Sequence, residues 1–318
     1  MRSLEAESNR RPPLVLIVGP TAVGKTEISI QLAMRLNGEI ISADSRLFYR
    51  GMDIGTAKPS PTERRGVPHH LIDVADPREV WSLALFQEQA RRVIAQVHGR
   101  GRLPFLVGGT GQYIRAVTQG WQPPAVQPDA RLRRALEAWA QEIGAAELHA
   151  RLARLDAEAA AKIDPRNLRR TVRALEVILS SGRRFSDQRS HGDAPYDLLN
   201  LGLTRPRAEL YARIDQRIEK MLQEALVDEV RSLLAQGVPP DAPAFSAIGY
   251  REMLAYLQGR LTLEEAVTQI KRATRVFVRR QANWFKLDDA QIHWFKVGAD
   301  TVDEMEAAIR RWLAEKPR

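Results

Sequence analysis

Residues 14–26 have the sequence LVLIVGPTAVGKT, and the rest of the prediction follows from this stretch. Leu14–Val18 are five apolar residues in a row, which predicts a strand that is buried on both faces. From Gly19 the spacing is G-x-x-x-x-G-K-T, and residues 27–36 predict the helix that follows. A strand, a glycine-containing loop and a helix in this order indicate a phosphate loop.

A phosphate loop binds its ligand mainly through the backbone. Glycines let successive N–H groups turn inward, the helix N-terminus adds positive potential, and Lys25 adds a cation. The hydroxyl of Thr26 is suited to Mg²⁺. The loop is therefore expected to bind a di- or triphosphate through Gly19, Pro20, Thr21, Ala22, Val23, Gly24, Lys25 and Thr26.

The composition of the 318 residues, 44% hydrophobic and 27% charged, is typical of a soluble protein with one large core or a core and a smaller domain. Residues 1–11 are expected to form a disordered tail, and we expect neither a signal peptide nor a membrane span. The chain has no cysteine, which excludes disulfides, thiolate metal sites and a cysteine nucleophile and fits a cytoplasmic location. The net charge of +9 fits either a polyanionic partner or a generally basic proteome.

A second predicted strand, residues 39–44, ends at Asp44. Open α/β sheets bind ligands at the carboxyl ends of their strands. An Asp in such a place is often a helix cap, but at the end of a strand next to a phosphate loop we expect a general base or a ligand that holds Mg²⁺ through water. The long polar loop that runs from Asp44 to Pro59 has the length of a functional loop.

Two further features of the first half bear on this site. His69 and His70 lie side by side on a predicted strand, residues 68–74, and point to opposite faces, so a structural role or a role at the edge of the substrate site is favoured over a shared metal. The strand at residues 103–107 ends in Gly108-Gly109-Thr110-Gly111, where many nucleoside-triphosphate hydrolases have a metal-positioning Asp. The acidic role then falls to Asp44, and the small residues allow a bulky ligand to approach closely.

The sequence from Gln122 to Arg189 is proline-rich at its start and then helical. We predict an α/β fold with a parallel sheet of the phosphate-loop type flanked by helices. Its core comprises residues 12–121 and 192–318, and residues 122–191 form an all-helical insertion domain. A helix predicted to start at Asp164-Pro165 carries arginines opposite its apolar face, which are either solvated or available to nucleic acid.

The second half of the core supplies more cations. A long helix is predicted over residues 205–236, with Arg213 and Arg217 four residues apart and able to close on a phosphate. The helix at residues 262–286 has six basic residues and no acidic one between Ala266 and Leu287, with aromatic side chains among them. These aromatics either stack on a base or pack in the core. Gln281 lies on the inner stripe of this helix, where a polar group needs a partner.

From the residues alone, two classes of enzyme remain. One is an ATP-dependent kinase of a small metabolite or nucleoside with Asp44 as its base. The other is a transferase whose nucleophile belongs to a nucleic acid and whose donor is a diphosphate. A nucleic-acid-binding module without chemistry would leave the phosphate loop unused.

The sequence closely resembles the bacterial tRNA dimethylallyltransferase (tRNA isopentenyltransferase) family. The stretches that carry the resemblance run in the family's order across nearly the whole chain: GPTAVGKT at 19–26, ISADSRLFYRGMDIGTAKP at 41–59, PHHLIDVADP at 68–77, VGGTGQY at 107–113, RALEV at 173–177, AIGYRE at 247–252 and RQANWFK at 280–286. The resemblance implies transfer of a dimethylallyl group from dimethylallyl diphosphate to N6 of adenosine 37 in tRNA, with Mg²⁺ as cofactor and a helical insertion that grips the anticodon stem.

The resemblance also implies roles for individual residues. Asp44 would be the general base, Lys25, Thr26 and Arg217 would act on the departing diphosphate, and Arg213 would assist Arg217. Residues implied to contact tRNA are Asp44, Ser45, Arg46, Leu47, Thr110, Arg169, Arg170, Thr171, Val172, Arg173 and Gln281. A monomer is expected.

Overall fold

The computed structural model describes residues 11–122, 124, 126, 129–188 and 190–315. The predicted tail therefore lies outside the described residues, except for Arg11. The chain divides into two compact units. The first runs to Thr118 and resumes at Pro195, and the second is Gln119–Ala194.

A six-stranded parallel sheet forms the centre of the first unit. Its strands are β1 (Pro13–Val18), β2 (Gly38–Ser42), β3 (His69–His70), β4 (Leu103–Gly108), β7 (Asp197–Thr204) and β8 (His293–Lys296). Their order in the sheet is β3-β2-β4-β1-β7-β8. Leu14–Val18 of β1 are fully buried near the middle of the sheet, as the apolar run predicts.

The sheet order corrects one expectation. β4 pairs with both β1 and β2, so β2 is not adjacent to the strand that precedes the phosphate loop. The predicted strand at residues 68–74 is also shorter than expected. It ends after His70 because Leu71 and Asp73 have left-handed backbones, with φ of 59° and 57°.

Eight helices flank this sheet in the described part of the first unit. They are α1 (Lys25–Arg35), α2 (Leu83–Gly99), α3 (Gly111–Thr118), α8 (Arg207–Gln223), α9 (Leu226–Ala235), α10 (Tyr250–Leu257), α11 (Leu263–Ala282) and α12 (Thr301–Ala314). The single helix predicted over residues 205–236 is wrong, because Ala225 has a left-handed backbone (φ 70°) that separates α8 from α9. The α/β fold with a phosphate-loop sheet is confirmed.

The second unit contains α4 (Ala130–Ile143), α5 (Ala145–Leu155), α6 (Ala157–Ala161) and α7 (Leu168–Ser181). Leu136, Leu148, Leu152, Val172 and Leu175 belong to its own apolar core. β5 (Trp121–Gln122) pairs antiparallel with β6 (Ser190–His191), so this unit is not purely helical. α7 begins at Leu168, capped by the Asn167 side chain, and not at Asp164-Pro165 as predicted. Of the predicted proline linker, only Pro124 is among the described residues.

Within the ranges that the structure describes, no helix is both long and apolar enough to cross a membrane.

Candidate functional site

The phosphate loop connects β1 to α1, and two glycines fix its course. Gly19 and Gly24 have φ of 150° and 111°, which side chains rarely tolerate. A Cβ atom on Gly19 would also lie 2.6 Å from the carbonyl oxygen of Leu203, at the end of β7. The loop therefore packs closely against the neighbouring strand.

Lys25 folds back over this loop. Its Nζ donates hydrogen bonds to the carbonyl oxygens of Gly19 (2.9 Å) and Pro20 (2.8 Å). Burial lowers the pKa of Lys25 to about 8, an effect that the negative charge of Asp44 opposes and the positive charge of Arg217 strengthens. Lys25 is thus still protonated at neutral pH, but only by a narrow margin.

Arg213 and Arg217 of α8 both reach the loop. The Arg217 guanidinium donates to the hydroxyl of Thr21 (3.4 Å), and Nε of Arg213 donates to the carbonyl oxygen of Ala22 (2.8 Å). Burial lowers the pKa of Arg217, the Asp44 carboxylate opposes this, and the Arg213 cation adds to it. The spacing of four residues therefore brings both arginines to successive residues of one loop.

Asp44 lies just beyond β2, at the same edge of the sheet. Its Oδ1 accepts a hydrogen bond from the N–H of Arg46 (2.9 Å), which fixes the carboxylate in a local turn. Its charge acts on both Lys25 and Arg217, so the three groups converge even though β4 lies between β2 and β1. Ser45, Arg46 and Leu47 are half-buried, and Arg46 donates to the Ser246 hydroxyl (3.2 Å).

The glycines that end β4 are explained by the chain itself. A Cβ atom on Gly108 would lie 2.5 Å from the carbonyl oxygen of Ala43. A Cβ atom on Gly109 would lie 2.1 Å from Nε2 of Gln281, and one on Gly111 would lie 2.3 Å from the ring of Trp284. The backbone at Ala43 and the side chains of Gln281 and Trp284 therefore require glycine at these positions without any ligand. Thr110 remains half-exposed at the turn.

Gln281 connects this turn to the phosphate loop. Its side chain is 5% exposed; Oε1 accepts from the N–H of Thr21 (2.8 Å) and Nε2 donates to the carbonyl oxygen of Gly109 (3.2 Å). The polar side chain of Gln281, on the inner stripe of its helix, therefore finds its partners in two backbone groups. The family resemblance implied that Gln281 contacts tRNA. Its bridge between the two loops could not be predicted, because no local sequence pattern indicates it.

The bridge also changes which N–H groups of the loop are available to a ligand. The N–H of Thr21 is already bonded to Gln281, whereas the first N–H groups of α1, at Lys25 and Thr26, have no partner inside the helix. Thr26 is exposed on this first turn. A diphosphate would therefore find its free backbone donors at the start of α1.

A metal ion at this site would have few protein ligands. The described residues contain no cluster of three or more His, Asp or Glu side chains. Mg²⁺ commonly takes one or two protein oxygens and completes its shell with water and phosphate oxygens. The exposed hydroxyl of Thr26 and the carboxylate of Asp44 match that donor set.

The polar loop after Asp44 is held together by a carboxylate from α9. Glu229 accepts hydrogen bonds from the N–H groups of Asp53 (2.8 Å), Ile54 (2.7 Å) and Gly55 (3.2 Å) and from the Tyr250 hydroxyl. Sequence reasoning missed Glu229, which is one of two adjacent acidic residues on an amphipathic helix and has no motif of its own.

Lys58 closes the same loop from the other side. Its side chain is 3% exposed, and the ammonium group donates to the carbonyl oxygen of Tyr49 (2.8 Å) and pairs with Asp53 and Asp73. Asp53, Lys58 and Asp73 thus contribute to the architecture of the loop that follows Asp44.

The two histidines have structural partners, as predicted. His70 contacts Glu39 (2.6 Å), a buried carboxylate that also accepts from Arg100 and Arg102. Burial alone would raise the pKa of Glu39, but hydrogen bonds from Arg100 and His70 outweigh it and lower the pKa to about 2. This cluster is centred near the start of β2, whereas Asp44 follows the end of that strand.

In the second unit, the predicted tRNA-contacting residues differ in exposure. Arg169 and Arg170 are exposed. Arg173 pairs with the fully buried Glu176 (2.9 Å) and donates to the carbonyl oxygen of Val126. Thr171 and Val172 are 0% and 1% exposed, so their side chains pack inside the second unit, and contact of these two residues with tRNA stays a prediction.

The chain matches known proteins over nearly its whole length. A family model described as IPP transferase matches residues 47–288. A tRNA dimethylallyltransferase of Roseiflexus sp. (strain RS-1) is 52% identical over 301 residues, which are 95% of this chain and 99% of that protein. Another from Halalkalibacterium halodurans is 46% identical over 306 residues, covering 95% and 97%.

Solved structures show the same likeness. The crystal structure of a tRNA isopentenylpyrophosphate transferase from Bacillus halodurans superimposes with a TM-score of 0.72 at 46% identity, covering 96% of this chain and 98% of that one. A eukaryotic dimethylallyltransferase acting on tRNA gives a TM-score of 0.79 at 26% identity, covering 96% and 80%.

Proposed function

The chain belongs to the IPP transferase family, and on that premise we propose that it transfers a dimethylallyl group from dimethylallyl diphosphate to N6 of adenosine 37 in tRNA. The observation that carries this proposal is the convergence of Asp44, Lys25 and Arg217 beside the phosphate loop. One carboxylate and two cations suit a reaction in which a nucleophile loses a proton while a diphosphate departs.

The diphosphate occupies the loop in this proposal. The free N–H groups at the start of α1 bind its oxygens, and Lys25 turns from the Gly19 and Pro20 carbonyls to the same oxygens. The bond between the allylic carbon and the diphosphate oxygen breaks, and the electron pair leaves with the diphosphate. Lys25 and Arg217 stabilise the charge that develops there, with Arg213 holding the loop from α8.

The nucleophile is an exocyclic adenine amine, which attacks weakly unless its proton is removed. Asp44 accepts the N6 proton as the new bond from N6 to the allylic carbon forms. The base must leave the stack to reach Asp44, at a cost of roughly a few kcal/mol. Ser45, Arg46, Leu47 and Thr110 surround this position in the proposal, and the exposed Arg169 and Arg170 bind tRNA phosphates.

Mg²⁺ fits this site as the cofactor. Thr26 would hold it directly and Asp44 through water, which is a donor set of the kind that Mg²⁺ accepts when phosphate oxygens complete the shell. The bound ion would neutralise part of the diphosphate charge. Since the proposed substrate is tRNA, we also infer a cytoplasmic location. Action as a monomer stays a prediction from the family resemblance.

The test is incubation of the chain with labelled dimethylallyl diphosphate, Mg²⁺ and unmodified tRNA, followed by nucleoside analysis. N6-dimethylallyladenosine at position 37 is the expected product. Asp44→Asn should lower kcat by about 10²- to 10⁴-fold while tRNA affinity is retained. Glu304→Gln also removes one negative charge, from an exposed position on α12, and should leave kcat unchanged. Consumption of ATP without a prenylated nucleoside would refute the proposal in favour of a kinase.

A further inference from the structure

The turn that holds Asp44 consists of short-range hydrogen bonds. The N–H of Asp44 donates to the Ser42 hydroxyl (3.3 Å), and the carboxylate accepts from the N–H of Arg46 (2.9 Å). The carbonyl oxygen of Asp44 accepts from the N–H of Leu47 (3.3 Å). Bonds between residues two and three apart fix the shape of a turn, but they do not tie it to the rest of the fold.

The Arg46 side chain ties this turn to a distant segment. Its Nη1 donates to the carbonyl oxygen of Pro243 (3.5 Å) and to the Ser246 hydroxyl (3.2 Å), which lie 197 and 200 residues further along the chain. The Ser246 hydroxyl in turn donates to the Pro243 carbonyl oxygen (2.6 Å), which fixes the two acceptors relative to each other. The residue whose N–H binds the Asp44 carboxylate is thus also the residue that carries the long-range bonds.

This distant segment is a rigid support. Pro243–Ser246 form a 3₁₀ helix in which Phe245 is buried, so its position is fixed by core packing. The chain that follows is fixed as well, because the hydroxyl of the buried Tyr250 donates to Glu229. Glu229 is the same carboxylate that binds the N–H groups of residues 53–55, so the segment and the polar loop have one support in common.

Both ends of the turn are attached to other parts of the first unit. β2 ends at Ser42, where the turn begins. After the turn, the carbonyl oxygen of Leu47 accepts a hydrogen bond from the N–H of Asp73 (3.1 Å). Residues 43–46 lie between these two attachments, and the Arg46 side chain gives them a third.

We propose that Arg46 is a positioning residue, whose bonds to Pro243 and Ser246 hold the Asp44 carboxylate where it accepts the N6 proton. The proposal rests on the proposed function for the role of Asp44. A general base must lie within hydrogen-bond reach of the proton that it removes, and a displacement of about 1 Å can cost about 100-fold in rate. Arg46 itself takes no proton. Its effect on the reaction passes through Asp44.

The test measures the single-turnover rate of prenyl transfer with the full chain in excess over tRNA and saturating dimethylallyl diphosphate. Arg46→Met removes the side-chain donors and keeps the backbone N–H that binds Asp44. The rate should fall about tenfold, the size of one lost charge-assisted hydrogen bond, with tRNA affinity unchanged. Arg46→Lys keeps a charged donor and should recover most of the rate. The matched control is Arg50→Met, which removes a guanidinium bonded to the Asp73 carbonyl oxygen (3.5 Å) in the same loop and should leave the rate unchanged.

Double variants separate positioning from a direct contact between Arg46 and tRNA. In the Asp44→Asn background there is no base to position, so Arg46→Met should slow the reaction little further. Ser246→Ala removes one acceptor, and Arg46→Met/Ser246→Ala should be no slower than Arg46→Met alone. Full additivity in either pair would overturn the proposal. Weaker tRNA binding in Arg46→Met at an unchanged single-turnover rate would overturn it in favour of a direct contact with tRNA.

Hydrogen exchange of the amides at residues 45–47 in the ligand-free chain measures the positioning without the reaction. Exchange should be faster in Arg46→Met and in Ser246→Ala, with the amides of β1 unchanged as a control for the fold. Equal exchange in the variants and the original chain would overturn the inference and leave the proposed function intact. If exchange rises as expected and the original chain forms no prenylated nucleoside, the proposed function fails, and the catalytic role of Arg46 fails with it.

Discussion

Replacing Gln281 tests the bridge between the phosphate loop and the glycine turn. Gln281→Met keeps a side chain of similar length and removes both hydrogen bonds, from the Thr21 N–H and to the Gly109 carbonyl oxygen. Both backbone groups then lose their partner beside a residue that is only 5% exposed. The variant isolates the bridge because Met occupies most of the same space.

The expected size of the effect follows from these two bonds. A buried donor or acceptor left without a partner costs about 1 to 3 kcal/mol, and Met regains some of this by burying an apolar group. Gln281→Met should therefore lower the free energy of unfolding by about 2 to 4 kcal/mol. In Gln281→Glu the carboxylate still accepts a hydrogen bond from the Thr21 N–H, but its second oxygen repels the carbonyl oxygen of Gly109. The substitution also adds a negative charge where the diphosphate is proposed to bind. About 1.4 kcal/mol of such repulsion raises KM for dimethylallyl diphosphate tenfold.

Urea unfolding and steady-state prenyl transfer measure the two effects. Gln87→Met is the control, since Gln87 is also buried but donates to the carbonyl oxygen of Ala116 between α2 and α3. It should lower stability without changing KM for dimethylallyl diphosphate. A Gln281→Met protein as stable as the original chain, with only its tRNA affinity reduced, would refute the bridge and support the direct tRNA contact predicted from the sequence.

Two further predictions concern pH. Because the pKa of Lys25 is lowered to about 8, the free chain should bind dimethylallyl diphosphate progressively more weakly as the pH rises above about 8; calorimetric affinities that are level from pH 7 to 9.5 would contradict a contact between Lys25 and the diphosphate. The pKa of Glu39 is about 2 in the folded chain, against 4.5 for an unperturbed glutamate, so its ionised form contributes about 3 kcal/mol of stability above pH 4.5 that is lost as the pH falls towards 2. Urea unfolding between pH 7 and 2.5 should show this loss in the original chain and not in Glu39→Gln.

The elements with local signals could be predicted from the sequence. The apolar run of β1 and the G-x-x-x-x-G-K-T spacing specify their own conformation, because the positive φ of Gly19 and Gly24 depends on the residues themselves. The order of the strands could not be predicted in the same way. β4 lies between β1 and β2, where Gly38 leaves room for the ring of Phe105 and Gly108 for the Ala43 carbonyl, and these contacts join distant parts of the chain.

In the candidate site too, residues with a local sequence signal could be predicted, and contacts between distant parts of the chain could not. Asp44, Lys25 and Arg217 were identified from strand ends, motif spacing and family resemblance. The bridge from Gln281 to Thr21 spans 260 residues, and Glu229 binds N–H groups about 175 residues away. Side chains that bind backbone atoms leave no complementary residue type at the other end, so no pairing pattern in one sequence indicates them.

The position of the acid explains how the site differs from that of a nucleoside-triphosphate hydrolase. A side chain at Gly108, on the strand next to β1, would collide with the Ala43 backbone, so no acid can stand there. Asp44 follows β2, two strands from β1, which is about 10 Å across the sheet at ~4.8 Å per strand. An acid on β4 would lie only half as far from the phosphate loop. Backbone contact thus excludes an acid from the strand next to β1, and the nearest acid at this edge of the sheet, Asp44, follows the strand after it.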